Sequence, residues 1–190
     1  MTKLEIINDT DYKDLLVSKN IIVIDNFFPE NLCKEYITDF NNSLVEEVEL
    51  ENHRNFYQKN YGQDTTLLKY ANKSLDTYLE KLNISEFMFP DNFGYEEFRL
   101  KQYIQNVGEF KPHVDVGDYK SAKRFLVYFW YLNDVDIGGE TEFFFNDYTV
   151  SVKAKAGRLL MFPPLWTHPH SGVLPKSDNK YILGGYLHYV

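Results

Sequence analysis

Residues 124–153 read RFLVYFWYLNDVDIGGETEFFFNDYTVSVK. Phe125 to Leu132 is a continuous apolar and aromatic run of strand length, and Phe143 to Phe145 is a shorter one. Large aromatics of this kind fill a β core. Asn133-Asp134, Gly138-Gly139 and Asn146-Asp147 interrupt the runs, as turns between antiparallel strands do. Working outward, the same punctuated pattern predicts strands at 96–104, 110–115, 123–132, 141–145, 148–153, 157–162, 166–171 and 179–189. Eight short strands point to a double-sheet jelly roll, that is, a double-stranded β-helix.

Upstream of residue 96 the periodicity changes. Residues 21–27, IIVIDNF, predict a buried strand, and Pro29 opens a helix whose apolar face is Leu32, Cys33, Tyr36, Ile37 and Phe40. A longer helix is expected over about 65–82, with Leu67, Leu68, Ala71, Leu75, Tyr78, Leu79 and Leu82 in one stripe for a sheet to cover. The expected class is therefore α+β and mainly β, a jelly roll with supporting N-terminal helices. Residues 52–64 and 116–122 are polar, carry aromatics and lack periodicity, so they are expected to be loops at the mouth of a site.

The chain has 190 residues, and no repeat, low-complexity tract or Pro/Gly/Ser linker divides it, so one domain over 1–190 is expected. One cysteine, Cys33, excludes an internal disulfide and fits a reducing, cytoplasmic setting. No signal-like segment and no apolar run of about 18 residues occurs, which argues against secretion and membrane spanning. A net charge of −8 without a Lys/Arg cluster argues against nucleic acid as a partner.

Chemistry-bearing residues gather in the C-terminal half. His113 and Asp115 are two apart, so on a strand they point the same way and can grip one cation. Alone, the triplet fits a surface strand with one polar face better. His168 and His170 alter that balance, because either supplies a third ligand and leaves the other as support. Two imidazoles and one carboxylate on one face of an octahedron form the arrangement of non-haem Fe(II) oxygenases. Lys180 stands at the head of an apolar strand, YILGGYL, and if it faces inward its ammonium must meet an anion. Gly184-Gly185 within that strand predicts a bulge or a close approach.

From about Ile21 onward the chain resembles the prolyl 4-hydroxylase-like branch of the Fe(II)/2-oxoglutarate-dependent dioxygenases. The segments that carry the resemblance are IIVIDNFFPENLCKEYI, LKQYIQNVGEFKPHVD, RFLVYFWYLNDVDIGGETEF and GRLLMFPPLWTHPHSGVLPKSDNKYI. In that family the distal histidine precedes the basic residue for 2-oxoglutarate by ten positions, a spacing that selects His170 with Lys180. The resemblance implies Fe(II) held by His113, Asp115 and His170, 2-oxoglutarate held by Lys180 and Tyr103, O2 as co-substrate and ascorbate as accessory reductant. Tyr103 stands one residue further from the metal triplet than in the family pattern.

The reaction implied is hydroxylation coupled to decarboxylation of 2-oxoglutarate to succinate, with Asp115 favouring hydroxylation because related halogenases lack that carboxylate. The substrate is a protein, a peptide or a small molecule, with prolyl residues the first expectation. Tyr186 replaces the tryptophan of collagen-type enzymes, and no peptide-binding domain precedes the resembling region, so a collagen-like substrate is not implied. Asp118, Tyr119, Trp166 and His168 are candidates for the substrate mouth, whereas Gly138-Gly139-Glu140-Thr141, Arg124 and Arg158 read as scaffold or rim. Rival readings are a non-catalytic metal-binding jelly roll, a hydroxylase of amino acids or other small molecules, and a Zn(II) hydrolase, which lacks an obvious general base here.

Overall fold

The computed structural model describes residues 2–6, 10–50 and 53–190. Strand β1 (Thr2–Ile6), helix α1 (Thr10–Val17), strand β2 (Ile22–Ile24) and helix α2 (Glu30–Asn41) come first. Strands β3 (Glu46–Leu50) and β4 (His53–Asn60), helix α3 (Thr65–Lys81), a 3-10 turn (Glu86–Met88) and β5 (Phe93–Tyr95) follow. Then come β6 (Arg99–Tyr103), β7 (Phe110–His113), β8 (Arg124–Tyr131), β9 (Thr141–Phe144) and β10 (Tyr148–Val152). The last strands are β11 (Leu159–Phe162), β12 (His170–Gly172) and β13 (Lys180–Tyr189).

Two sheets face each other. The smaller runs β1-β10-β9-β12-β7, and the larger runs β2-β11-β8-β13-β6-β4-β3, with β5 added against β13. All pairings are antiparallel except β1 with β10. This is the expected jelly roll, open and not a closed barrel.

Why β8 is apolar along its length follows from its position. Its odd-numbered residues Val127 and Tyr131 join Phe143, Val150, Leu160 and Phe162 between the sheets. Its even-numbered residues Leu126, Tyr128 and Trp130 face the other way, into a core with α2 and α3. Both faces are covered, so the strand cannot alternate with polar residues. Helix α3 presents Leu67, Ala71, Leu75 and Tyr78 to that core, and the Asp64 carboxylate caps its start by accepting from the Leu67 N–H at 2.9 Å. Trp130 is fully buried, stacked on Phe28 at 4.7 Å, and its indole N–H donates to Ser74 Oγ.

Three expectations need correction. Residues 53–60 form β4, paired on both sides with β3 and β6, where a loop was expected; residue 52 lies outside the described residues. Buried Phe56 anchors β4 against Tyr103, at 5.5 Å between ring centroids, and the ladder satisfies a polar backbone that shows no hydrophobic alternation. The expected strands 110–115 and 166–171 shift to Phe110–His113 and His170–Gly172, so Asp115 follows a strand end and His168 precedes a strand. Gly184 marks a close approach: a Cβ there would lie 2.1 Å from the Tyr128 carbonyl oxygen, and the register of β13 on β8 runs unshifted past it. The Gly138-Gly139 turn is structural, as expected, with both φ angles at 74°.

Candidate active site

Strands β7 and β12 pair with His113 opposite His170. The chain then bends after His113 and returns Asp115 toward both rings. His113 Nε2 lies 3.4 Å from Asp115 Oδ1, and His170 Nε2 lies 3.7 Å from Asp115 Oδ2. One ligand atom from each of the three residues falls within 4.8 Å of the others. Each imidazole uses its other nitrogen on the backbone, His113 Nδ1 on the Lys111 carbonyl at 2.6 Å and His170 Nδ1 on the His168 carbonyl at 3.0 Å. An Nδ1–H donated to a carbonyl leaves the Nε2 lone pair facing Asp115, which is how a metal-binding histidine is oriented.

The electrostatics suit a cation. Burial raises the Asp115 pKa, but the hydrogen bond with His113 and the charges of His170, His113 and Lys101 outweigh it and hold the carboxyl below its ordinary value. Burial lowers the His170 pKa against the pull of Asp115. Phe162 and Phe143 fix that ring, at 4.9 and 5.9 Å between centroids.

The anion end of the same pocket is built on β13 and β6, where Lys180 pairs in register with Tyr103. Lys180 is buried yet forms no hydrogen bond or ion pair among the described residues; its ammonium sits 5.5 Å from the Tyr103 and Tyr131 rings. Burial pushes its pKa down to about 8, opposed by the charge of Glu140. A buried ammonium without a partner, aimed into a cavity, is a receptor for an anion. Tyr103 lines the cavity beside it and is buried.

Asp118, Tyr119, Trp166 and His168 do not line the pocket. Asp118 is occupied in its own turn, accepting from the Ser121 N–H at 2.8 Å and the Ser121 hydroxyl at 2.6 Å. Tyr119 and Trp166 are 99% and 80% exposed on two segments joined by the Val116 N–H to Pro164 carbonyl bond. His168 turns away, its Nε2 against the Lys19 carbonyl at 2.7 Å and its Nδ1 against the Thr167 hydroxyl at 2.8 Å. Its part in the site is the backbone carbonyl that orients His170. Arg158 is scaffold as expected, buried against Asp25 at 2.6 Å, while Arg124 pairs with Glu96 and lies 4.0 Å over the Tyr186 ring.

Sequence reasoning missed Arg99 and Lys101, which line the pocket on the same face of β6 as Tyr103. Period-two spacing from Tyr103 was the available signal, since Leu100 between them is core. Tyr186 also lines the cavity, and burial together with the nearby Asp115 carboxylate raises its hydroxyl pKa.

Residues 98–188 match the family model described as the 2OG-Fe(II) oxygenase superfamily. No curated protein matches by sequence. Among solved structures, a Trichoplax adhaerens prolyl hydroxylase in complex with a hypoxia-inducible-factor peptide fragment is similar, with TM-score 0.73 and 18% identity over 93% of this chain and 86% of that one. A Pseudomonas putida prolyl-4-hydroxylase gives 0.68 and 21% over 93% and 96%. The viral collagen prolyl hydroxylase of Paramecium Bursaria Chlorella virus-1, in its 2OG complex, gives 0.72 and 20% over 90% and 97%. These likenesses carry the fold. The family match assigns residues 98–188, the region that carries the site, to the 2OG-Fe(II) oxygenase superfamily, enzymes that use Fe(II), 2-oxoglutarate and O2.

Proposed function

We propose that this oxygenase hydroxylates a prolyl residue of a protein or peptide, with His113, Asp115 and His170 holding Fe(II) and Lys180 holding the far carboxylate of 2-oxoglutarate. The observation that carries the assignment is the convergence, in one cavity, of two Nδ1-anchored imidazoles, one carboxylate and a buried ammonium that has no anion of its own. A donor set of two imidazoles and a carboxylate suits Fe(II), and a lone buried ammonium suits a dicarboxylate. When bound, iron, 2-oxoglutarate and oxygen together supply the oxidation, which releases succinate and carbon dioxide and places one oxygen on the substrate.

The residues do the positioning. The Lys111 and His168 carbonyls keep the two Nε2 atoms turned inward, and Asp115 brings the one negative charge of the metal site. Lys180 fixes the co-substrate from the opposite end, with the Tyr103 phenol beside it. Phe110, Phe129, Phe162 and Ile182 wall the cavity with apolar surface and so exclude water. Prolyl substrates are supported by the fold shared with the prolyl hydroxylases above. Among the described residues no helix is long and apolar enough to cross a membrane. The buried, unpaired Cys33 supports a reducing, cytoplasmic setting, and we propose one catalytic domain over 1–190.

The test is turnover of 2-oxoglutarate to succinate with Fe(II) and O2, coupled to mass spectrometry for a gain of one oxygen in a panel of peptides and metabolites. Hydroxylation of a prolyl peptide is expected. Succinate formation that needs no iron, or that Zn(II) supports equally, sinks the assignment.

A further inference from the structure

The cavity holds more positive charge than the oxygenase reaction needs. Lys101 projects from β6 into the same pocket as Asp115, across from Ile182 of β13. Its ammonium lies 5.1 Å from the Phe56 ring centroid and 5.9 Å from that of Phe110. Among the described residues it makes no ion pair or hydrogen bond, and Asp115 acts on it only through space. The other cations nearby are accounted for. Arg99 and Arg124 both reach Glu96, at 3.3 Å for the first and at 2.7 and 2.9 Å for the second. Lys180 belongs to the co-substrate on the reading above.

Contacts single out Lys101, since Arg99 and Arg124 share the one carboxylate of Glu96 and so keep a net positive charge, but both have a partner. A ferrous dication, the Asp115 anion, the 2-oxoglutarate dianion and the Lys180 cation sum to zero. Lys101 then leaves one uncompensated positive charge in an aromatic-walled cavity, which is costly unless an anion meets it. The two lysines also stand at different levels of the sheet. Lys180 pairs with Tyr103 and Lys101 stands two residues along β6, roughly 6.6 Å away by strand rise.

We propose that Lys101 is a specificity-determining residue that binds a single carboxylate of the prime substrate, so that the enzyme acts on carboxylate-bearing substrates. This rests on the oxygenase reading of the site and narrows it. One carboxylate matches one ammonium. The carboxylate comes either from an acidic side chain flanking the target residue of a peptide or from the α-carboxylate of a free amino acid.

The experiment uses matched acids and amides. L-Proline against L-prolinamide, and an Asp-Pro peptide against its Asn-Pro counterpart, are titrated by calorimetry into protein carrying Mn(II) and 2-oxoglutarate. The same probes are scored for 2-oxoglutarate turnover with Fe(II). At least one acid is expected to bind about tenfold or more tightly than its amide, as a charge-assisted contact should. Lys101→Met, which keeps the stem against Phe56 and Phe110, should level the pair, and Lys101→Arg should restore the preference; thermal unfolding confirms that both variants are folded. The proline and peptide arms identify the source of the carboxylate. Acids and amides that behave alike throughout, a preference that survives Lys101→Met, or a tenfold higher 2-oxoglutarate requirement in that variant would each overturn the inference. Wild-type protein that never consumes 2-oxoglutarate defeats the oxygenase reading itself, whereas one that consumes it without acid preference defeats only this one.

Discussion

Strands β8 and β13 each have two faces that serve opposite ends. Outward, Leu126, Trp130, Leu183 and Leu187 are sealed under the N-terminal helices with aromatic stacking and a satisfied indole. Inward, the same β13 carries Lys180, Ile182 and Tyr186 into a cavity that also holds Asp115 and Lys101. The outer face gains stability from every buried group. The inner face buries charges that the free protein leaves uncompensated, which costs stability and prepares binding. Period two lets one strand do both, because successive side chains point to opposite faces.

The comparison breaks most visibly at Asp115. Asp115→Ala should abolish succinate formation while leaving the thermal unfolding temperature close to wild type, since the residue sits past a strand end and supports no core. Substantial succinate formation in that variant would show that the inner face does not hold the metal. The outer face should respond in reverse. Trp130→Ala removes a fully buried ring and should cost about 3–5 kcal/mol in denaturant unfolding, with turnover per folded molecule retained.

How the two faces were legible in the sequence differs for the same reason. Continuous aromatic runs and an amphipathic helical stripe disclose the outer core directly, and the α2 and α3 helices fall where Pro29 and the Leu67 to Tyr78 spacing put them. His113, Asp115 and Lys180 could be proposed from the sequence because metal and anion chemistry restricts residue types and spacing, whereas only the family's ten-residue spacing chose His170 over His168. What sequence hid was set by tertiary pairing. β4 has polar residues yet lies between two strands, because its ladder bonds and Phe56 decide its state where hydrophobic alternation is silent. His168 was offered to the substrate mouth on proximity in sequence, but the backbone leaves it before β12 and the Lys19 carbonyl takes its ring. Lys101 was passed over because a lysine in a strand is ordinarily solvated, although its period-two spacing from Tyr103 put it on the face of the site.

A smaller and more discriminating effect is expected at Lys180, where the two faces can be set against each other in one variant. Lys180→Met removes a buried ammonium and keeps its volume, so the co-substrate-free protein should be no less stable than wild type, or more so. Affinity for 2-oxoglutarate should fall by about 1.5–3 kcal/mol, the range for a hydrogen bond to a charged group, with iron binding kept. Unfolding curves and calorimetry on one preparation measure both. A destabilised variant with unaltered 2-oxoglutarate affinity would make Lys180 a packing residue.

The mildest test leaves the protein intact and uses pH. Burial brings the Lys180 pKa from 10.5 down to about 8 in the folded protein, so between those values the unfolded chain binds more protons at this residue than the folded one. The contribution of Lys180 to stability therefore rises with pH across that window, while the ammonium needed by the co-substrate is lost. The apparent Kd for 2-oxoglutarate should be flat below about pH 8 and climb toward tenfold per pH unit above it, levelling off only above the higher pKa that the bound dianion gives the ammonium. Lys180→Arg, whose guanidinium stays charged, should flatten that rise. A rise that persists unchanged in the arginine variant would place the titrating group elsewhere and remove the electrostatic half of the contrast between the faces.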